Sequence, residues 1–256
     1  MTFEFNTALA ARYRSASQRA RVLTEDWVGR NLYCPVCGHP KLCHFEANKP
    51  VADFYCEKCE AQFELKSKKS KSSKLGKKIP AGDYEKMKER VNSTKNPHFL
   101  FLTYFDDTVR NLVFIPNRFF VADDIIEKRK PLPPTARRAG WVGSNINLAR
   151  IPQNAKIFLV KDSQEMEHVR VNTSSNSKKA ARDSVRNRTW LIDVSRCLDH
   201  LKDEFSLAEV YVYVDALRES HPQNMNIEAK IRQQLQILRN LGLLQFVKRG
   251  HYRKIK

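Results

Sequence analysis

Two groups of residues in this 256-residue chain have the types and spacing to do chemistry. Cys34-Pro35-Val36-Cys37 and Cys56-Glu57-Lys58-Cys59 form two C-x2-C pairs with eighteen residues between them, the spacing of a four-cysteine zinc site. Each short loop lets two thiolates reach one face, and together the pairs complete a tetrahedron around an ion that keeps its ligands ionised. A filled four-cysteine shell has no open position, so the expected Zn²⁺ is structural. Two disulfides, the alternative, conflict with the absence of a secretion signal. His39, Cys43 and His44 lie in the loop between the pairs and read as ordinary loop residues, and Cys197 reads as a small buried apolar residue.

The second group is Asp53, then ten residues, then Glu64-Leu65-Lys66. Side chains alternate faces along a strand, so Phe63 and Leu65 are expected toward a core while Glu64 and Lys66 share the opposite face. Asp53 belongs on the neighbouring strand. Two carboxylates from adjacent strands can hold Mg²⁺, with the Leu65 backbone carbonyl as a further oxygen ligand. The Lys66 ammonium can position an attacking water and offset charge on a scissile phosphate, which is the chemistry of phosphodiester hydrolysis. Glu and Lys also alternate on exposed strands simply for solubility, so this pattern alone is a weak signal.

The elements that must position these groups divide the chain in two. Residues 7–31 read as helix with Trp27 on its apolar stripe, and a second helix is expected near Asp83 to Val91. His98 to Phe105 and Asn111 to Ile115 are aromatic and β-branched strands joined at Asp106-Asp107. A short helix over 116–130, a basic loop over 131–149 and a strand over Lys156 to Val160 complete an α/β layer. The lysine run from Lys66 to Lys78 reads as too polar to pack. Val171 to Arg188 has almost no large apolar residue and reads as a linker, which gives a domain over 1–180 and another over 181–256. The second should contain helices over Trp190 to Leu201, Ser206 to Glu219 and Asn226 to Leu241, then a hairpin with Lys248 and Arg249 at its basic tip. Three helices and a hairpin are the parts of a winged helix.

The charge indicates the partner. Against 28 Asp+Glu stand 46 Lys+Arg, a formal charge of +18, and nucleic acid is the commonest polyanion that relieves such self-repulsion. No apolar run approaches the length of a bilayer span and the opening segment does not read as a leader, so a cytosolic protein is expected. On the helix over Asn226 to Leu241, Ile227, Ile231, Leu235, Leu238 and Leu241 form one stripe. Lys230, Arg232, Gln233 and Gln236 are left to contact DNA, Gln suiting adenine and Arg guanine in the major groove. Between Gln223 and Lys256 there are eight basic residues and one acid, as phosphate contact requires. A noncatalytic, zinc-containing winged-helix regulator would share these features, but would have no use for Asp53, Glu64 and Lys66 on one face.

Asp53…Glu64-x-Lys66 resembles the PD-(D/E)xK nuclease motif, and the four cysteines resemble those of the DpnI-type (Dam-replacing) restriction endonucleases. The likeness extends over Ala20 to Val28, Pro50 to Cys56, Phe63 to Lys68, Pro134 to Trp141 and Ile231 to Arg239. It implies an α/β PD-(D/E)xK core with an inserted zinc site and a C-terminal winged helix. The implied activity is that of a Mg²⁺-dependent, methyl-directed (type IIM) endonuclease of a bacterial cytosol. Such an enzyme cuts double-stranded DNA at 5′-GATC-3′ containing N6-methyladenine, as a monomer and with both domains reading the site. In the matched loop, Arg137 and Arg138 are expected on DNA and Trp141 on the base or its methyl group. One buried methyl contributes only about 0.8 kcal/mol, so stringent discrimination needs unmethylated DNA to leave something unpaired or poorly packed.

Overall fold

The computed structural model describes residues 1–45, 52–72, 74–93, 96–167, 170–171 and 185–255. Most of the proposed linker, and with it the expected boundary at 180/181, lies outside the described residues, as do Pro50 and Val51.

The first layer is a seven-stranded sheet. Its strands are β1 (Cys43–His44), β2 (Phe54–Tyr55), β3 (Gln62–Lys69), β5 (His98–Phe105), β6 (Thr108–Ile115), β9 (Ile157–Lys161) and β10 (Gln164–Glu165), in that spatial order. Only the β3–β5 pair is parallel, and the chain makes that crossover through β4 (Lys78–Asp83) and helix α2 (Tyr84–Asn92). The centre is buried because β5 and β6 are largely apolar on both faces, and the rings of Phe99 and Phe120 stack 4.1 Å apart. Asp106 and Asp107 both adopt positive φ, at 47° and 57°, a turn conformation that Asp tolerates and that suits strand twist. The second strand therefore starts at Thr108, three residues before the apolar run makes it visible.

Helix α1 (Ala16–Asn31) lies against β3, with Trp27 fully buried and its Nε1 donating to the Thr2 carbonyl at 2.8 Å. The expected helix over 7–31 is in fact a 3-10 turn at Thr7–Ala10, a break, and α1. The break ends at Ser15, an extended residue of a type favoured immediately before a helix.

Three other expectations are corrected. The 116–130 segment is a 3-10 turn, the single helical turn α3 (Ala122–Ile125) and strand β7 (Ile126–Lys128). The 131–149 loop contains strand β8 (Gly143–Asn147), the centre of a second sheet ordered β4-β8-β7. Its Gly, Ser and Asn are poor strand formers, and pairing on both sides with burial of Ser144 and Ile146 overrides propensity. The lysine run is drawn into strands at both ends, Lys66 to Lys69 in β3 and Lys78 opening β4, while the side chains of Lys68, Lys69 and Lys78 stay exposed as expected.

The C-terminal unit contains helices α4 (Val185–Asp199), α5 (Leu207–Tyr211), α6 (Val214–Ser220) and α7 (Ile227–Asn240). The single helix expected over Ser206 to Glu219 is broken at Val212 and Tyr213, both weak helix formers. Ser206 and Glu209 form a reciprocal capping box at the start of α5. The expected hairpin is β12 (Leu244–Lys248) and β13 (His251–Lys254), and β11 (Glu204–Ser206) joins it as a third strand.

Helix α4 also binds the first unit. Buried Arg188 donates to the Val91 carbonyl at 2.7 Å and the Phe120 carbonyl at 3.0 Å, Arg196 pairs with Asp124, and the Asp199 carboxylate accepts the Gln153 N–H at 2.9 Å. No helix among the described residues is long and apolar enough to cross a membrane.

Candidate active site and metal centre

The two C-x2-C loops are built alike. In the first, Cys34 N–H donates to the His39 carbonyl at 2.7 Å and Gly38 N–H to the Cys34 carbonyl at 2.8 Å. In the second, Cys56 N–H donates to Ala61 at 2.9 Å and Glu60 N–H to Cys56 at 2.8 Å. Gly38 and Glu60 occupy the equivalent turn position with φ of 75° and 59°. Sγ–Sγ separations are 3.7 Å for Cys34–Cys59 and 3.6 Å for Cys37–Cys56, and all four sulfurs lie within 4.8 Å of one another. A Zn–S bond of about 2.3 Å puts the corners of a regular tetrahedron about 3.8 Å apart, so the sulfurs are spaced to hold zinc rather than bonded as disulfides. Burial pushes the Cys34 thiol far above its ordinary range and that of Cys59 to about 11. A bound cation would offset this cost and hold these two sulfurs as thiolates. Cys43, His39 and His44 are outside this cluster.

The second loop leads directly into β3, where exposure alternates as anticipated: Phe63 and Leu65 are buried while Glu64 and Lys66 lie on the other face. Asp53, immediately before β2, donates its N–H to the Phe63 carbonyl at 3.0 Å, and its Oδ2 accepts the Leu65 N–H at 2.6 Å. The N–H and C=O of one strand residue point to the same edge, so the Leu65 carbonyl also faces the edge occupied by Asp53. Lys66 Nζ donates to Glu64 Oε1 at 2.5 Å. The structure thus brings Asp53, Glu64, Leu65 and Lys66 together beside the cysteine cluster.

The electrostatics are those of a site that favours a cation. Burial, followed by the Glu64 charge, holds the Asp53 carboxyl above its ordinary range, against Lys66, the Leu65 N–H and His44. Burial alone would lower the Lys66 ammonium, but Glu64 and Asp53 reverse this and raise it, so Lys66 stays charged. Two neighbouring oxygen-donor carboxylates, one destabilised by the other, fit a hard divalent ion.

Two residues without an assigned role in the sequence reading also reach this centre. Glu25 of α1 is raised to about 7 by burial and then by the Asp53 charge, against Arg21 and Lys66, and its Oε2 lies 3.8 Å from His44 Nε2. Arg90, in the last turn of α2, has its charge disfavoured by burial and supported by Glu64 and Asp53. Its Nε and Nη2 are sealed from solvent with no partner among the described residues. Local sequence offered no signal for either, since each is a polar residue on an ordinary amphipathic helix.

The residues expected on DNA are dispersed. Arg137 and Arg138 are exposed, and the Arg138 guanidinium lies 4.7 Å from the centre of the Trp141 ring. Trp141 is half-buried, its Nε1 has no partner among the described residues, and its ring fills the space in which a side chain at Gly143 would stand. On α7, Arg232, Gln233 and Gln236 are exposed; Arg232 pairs with the Tyr211 hydroxyl and Gln236 donates to Asn240 at 2.7 Å. Lys230 turns back to the Asn187 amide oxygen at 3.1 Å. Lys248 and Arg249 are exposed at the hairpin turn.

The model of the DpnI (Dam-replacing) family matches residues 1–184, and that of the Dam-replacing HTH domain matches residues 186–254. The chain belongs to the Dam-replacing family. Membership implies a methyl-directed restriction nuclease that binds DNA, and assigns α4–α7 and their sheet to the family's helix-turn-helix unit. The match over residues 1–184 spans the cysteine cluster and the Asp53–Lys66 segment alike.

Proposed function

We propose that this protein is a type IIM endonuclease that hydrolyses double-stranded DNA at 5′-GATC-3′ containing N6-methyladenine, with Mg²⁺ as cofactor and structural Zn²⁺ in the four-cysteine cluster. Residues 1–180 would be the catalytic domain and 181–256 the winged-helix DNA-binding domain. The observation that supports the reading is the hydrogen bond from the Leu65 N–H to Asp53 Oδ2, which holds one acid against the strand that carries Glu64 and the Lys66 bonded to it.

Asp53, Glu64 and the Leu65 carbonyl would hold the Mg²⁺, the PD-(D/E)xK arrangement. When bound, the ion polarises the phosphoryl oxygen and lowers the pKa of its water. Lys66, held charged by its neighbours, orients the attacking water and offsets negative charge as the water oxygen bonds to phosphorus and a backbone P–O bond breaks. Burial of these groups strengthens each electrostatic contact. Arg232, Gln233 and Gln236 on α7, with Lys230 after release from Asn187, read or grip the duplex, and Lys248 and Arg249 meet phosphates from the hairpin turn. Arg137, Arg138 and Trp141 act from the catalytic domain. A soluble monomer in a bacterial cytosol fits this reading.

Purified protein with Mg²⁺ should cut plasmid methylated at the GATC adenine and spare unmethylated plasmid, while Lys66→Ala binds without cutting. Equal digestion of both plasmids removes the methyl requirement. If no divalent metal supports cutting, a DNA-binding regulator remains.

A further inference from the structure

We propose that Arg90 takes the scissile phosphate through its Nε–Nη2 edge, a catalytic contact additional to Asp53, Glu64 and Lys66; this rests on the nuclease reading above. These two atoms form the side-on fork of a guanidinium, two parallel donors spaced to meet two oxygens of one phosphate or carboxylate. Both are buried and lack a partner among the described residues. Buried guanidinium donors are normally satisfied, so an empty fork calls for an anion supplied from elsewhere.

No carboxylate among the described residues fills it. Glu64 and Asp53 are close enough to support the Arg90 charge, but Glu64 is engaged by Lys66 at 2.5 Å and Asp53 Oδ2 by the Leu65 N–H at 2.6 Å. The anion missing from the centre is the phosphate to be cut. Arg90 as a whole is only half-buried, so rotation about its outer torsions can present the fork to an arriving backbone.

The helix carrying Arg90 is well anchored for this task. Arg188 of the helix-turn-helix unit donates to the carbonyls of the next two residues, Val91 at 2.7 Å and Asn92 at 3.4 Å. The C-terminal end of α2 is therefore held by the unit that binds DNA, which places Arg90 between recognition and chemistry.

The test is single-turnover cleavage of a methylated GATC duplex with Mg²⁺ by wild type, Arg90→Ala, Arg90→Lys and Lys66→Ala, with binding measured separately in Ca²⁺ and folding by thermal melt. Arg90→Ala is expected to cut about 100-fold more slowly, the loss typical of one donor to a developing oxyanion, with duplex affinity changed less than about threefold. Arg90→Lys should recover only part of the rate, because a point charge cannot make the fork. Cleavage by Arg90→Ala within threefold of wild type overturns the proposal while the nuclease reading stands, provided Lys66→Ala is inactive. If Arg90→Ala does not fold, Arg90→Lys decides: wild-type cleavage by that variant also overturns it. A wild type that never cuts removes the nuclease reading, an active Lys66→Ala removes the centre assigned to it, and either result removes this proposal.

Discussion

Asp53 Oδ2 accepts the backbone N–H of Leu65 at 2.6 Å. This contact fixes a carboxylate that packing otherwise disfavours, since burial and Glu64 both raise its pKa. Asp53→Asn preserves an oxygen for the N–H but removes the charge a divalent ion needs. It should melt within a few degrees of wild type, while single-turnover cleavage falls by about 10³-fold or more, in keeping with the loss of a metal's Lewis acidity. Binding of methylated duplex in Ca²⁺, run beside the cleavage assay, separates a lost ion from lost DNA.

The cysteine cluster joins α1 to the strand edge, with Cys34 two residues after Leu32, where α1 has ended, and Cys59 three before β3. Elemental analysis should find one zinc per chain. Cys59→Ser should lower zinc occupancy and stability together, by several kcal/mol, because binding energy at a structural zinc site is largely folding energy. A zinc-free variant with an unchanged melting curve would contradict a structural role.

Glu25 predicts a pH signature in protein freed of Mg²⁺. Its folded pKa of about 7 lies above the 4.5 of a free glutamate, so folding favours the protonated form. Stability from this group is fully present below pH 4.5, falls through the interval and is lost above about 7. Glu25→Gln should therefore stabilise the protein at pH 8, by about 2 kcal/mol, and have little effect at pH 4. Melting curves of both proteins at the two pH values give the difference directly.

Gly143 and Trp141 are tightly juxtaposed, because a Cβ built on Gly143 would fall 2.8 Å from the indole ring. Gly143→Ala should push the ring out of its seat, seen as a change in tryptophan fluorescence. If Trp141 meets the methylated base, the ratio of methylated to unmethylated binding should fall several-fold, within the span expected for a lost apolar contact of 1–3 kcal/mol. A shifted ring with an unchanged ratio would assign Trp141 to packing alone.

Much of this site was legible in the chain because its components are local. Cys34-x-x-Cys37 and Cys56-x-x-Cys59 close within single turns, Glu64 and Lys66 share a face through strand alternation, and the apolar stripe of α7 follows helical periodicity. These patterns come from backbone geometry that neighbours in sequence suffice to define. The tertiary structure alone decided the rest. Glu25 and Arg90 feel the Asp53 charge because separate helices pack on the sheet, β8 becomes a central strand only between β4 and β7, and Arg188 acquires its role from the carbonyls of Val91 and Phe120. Charge and burial act through space, so residues far apart in sequence gain their chemistry only when packing brings them together.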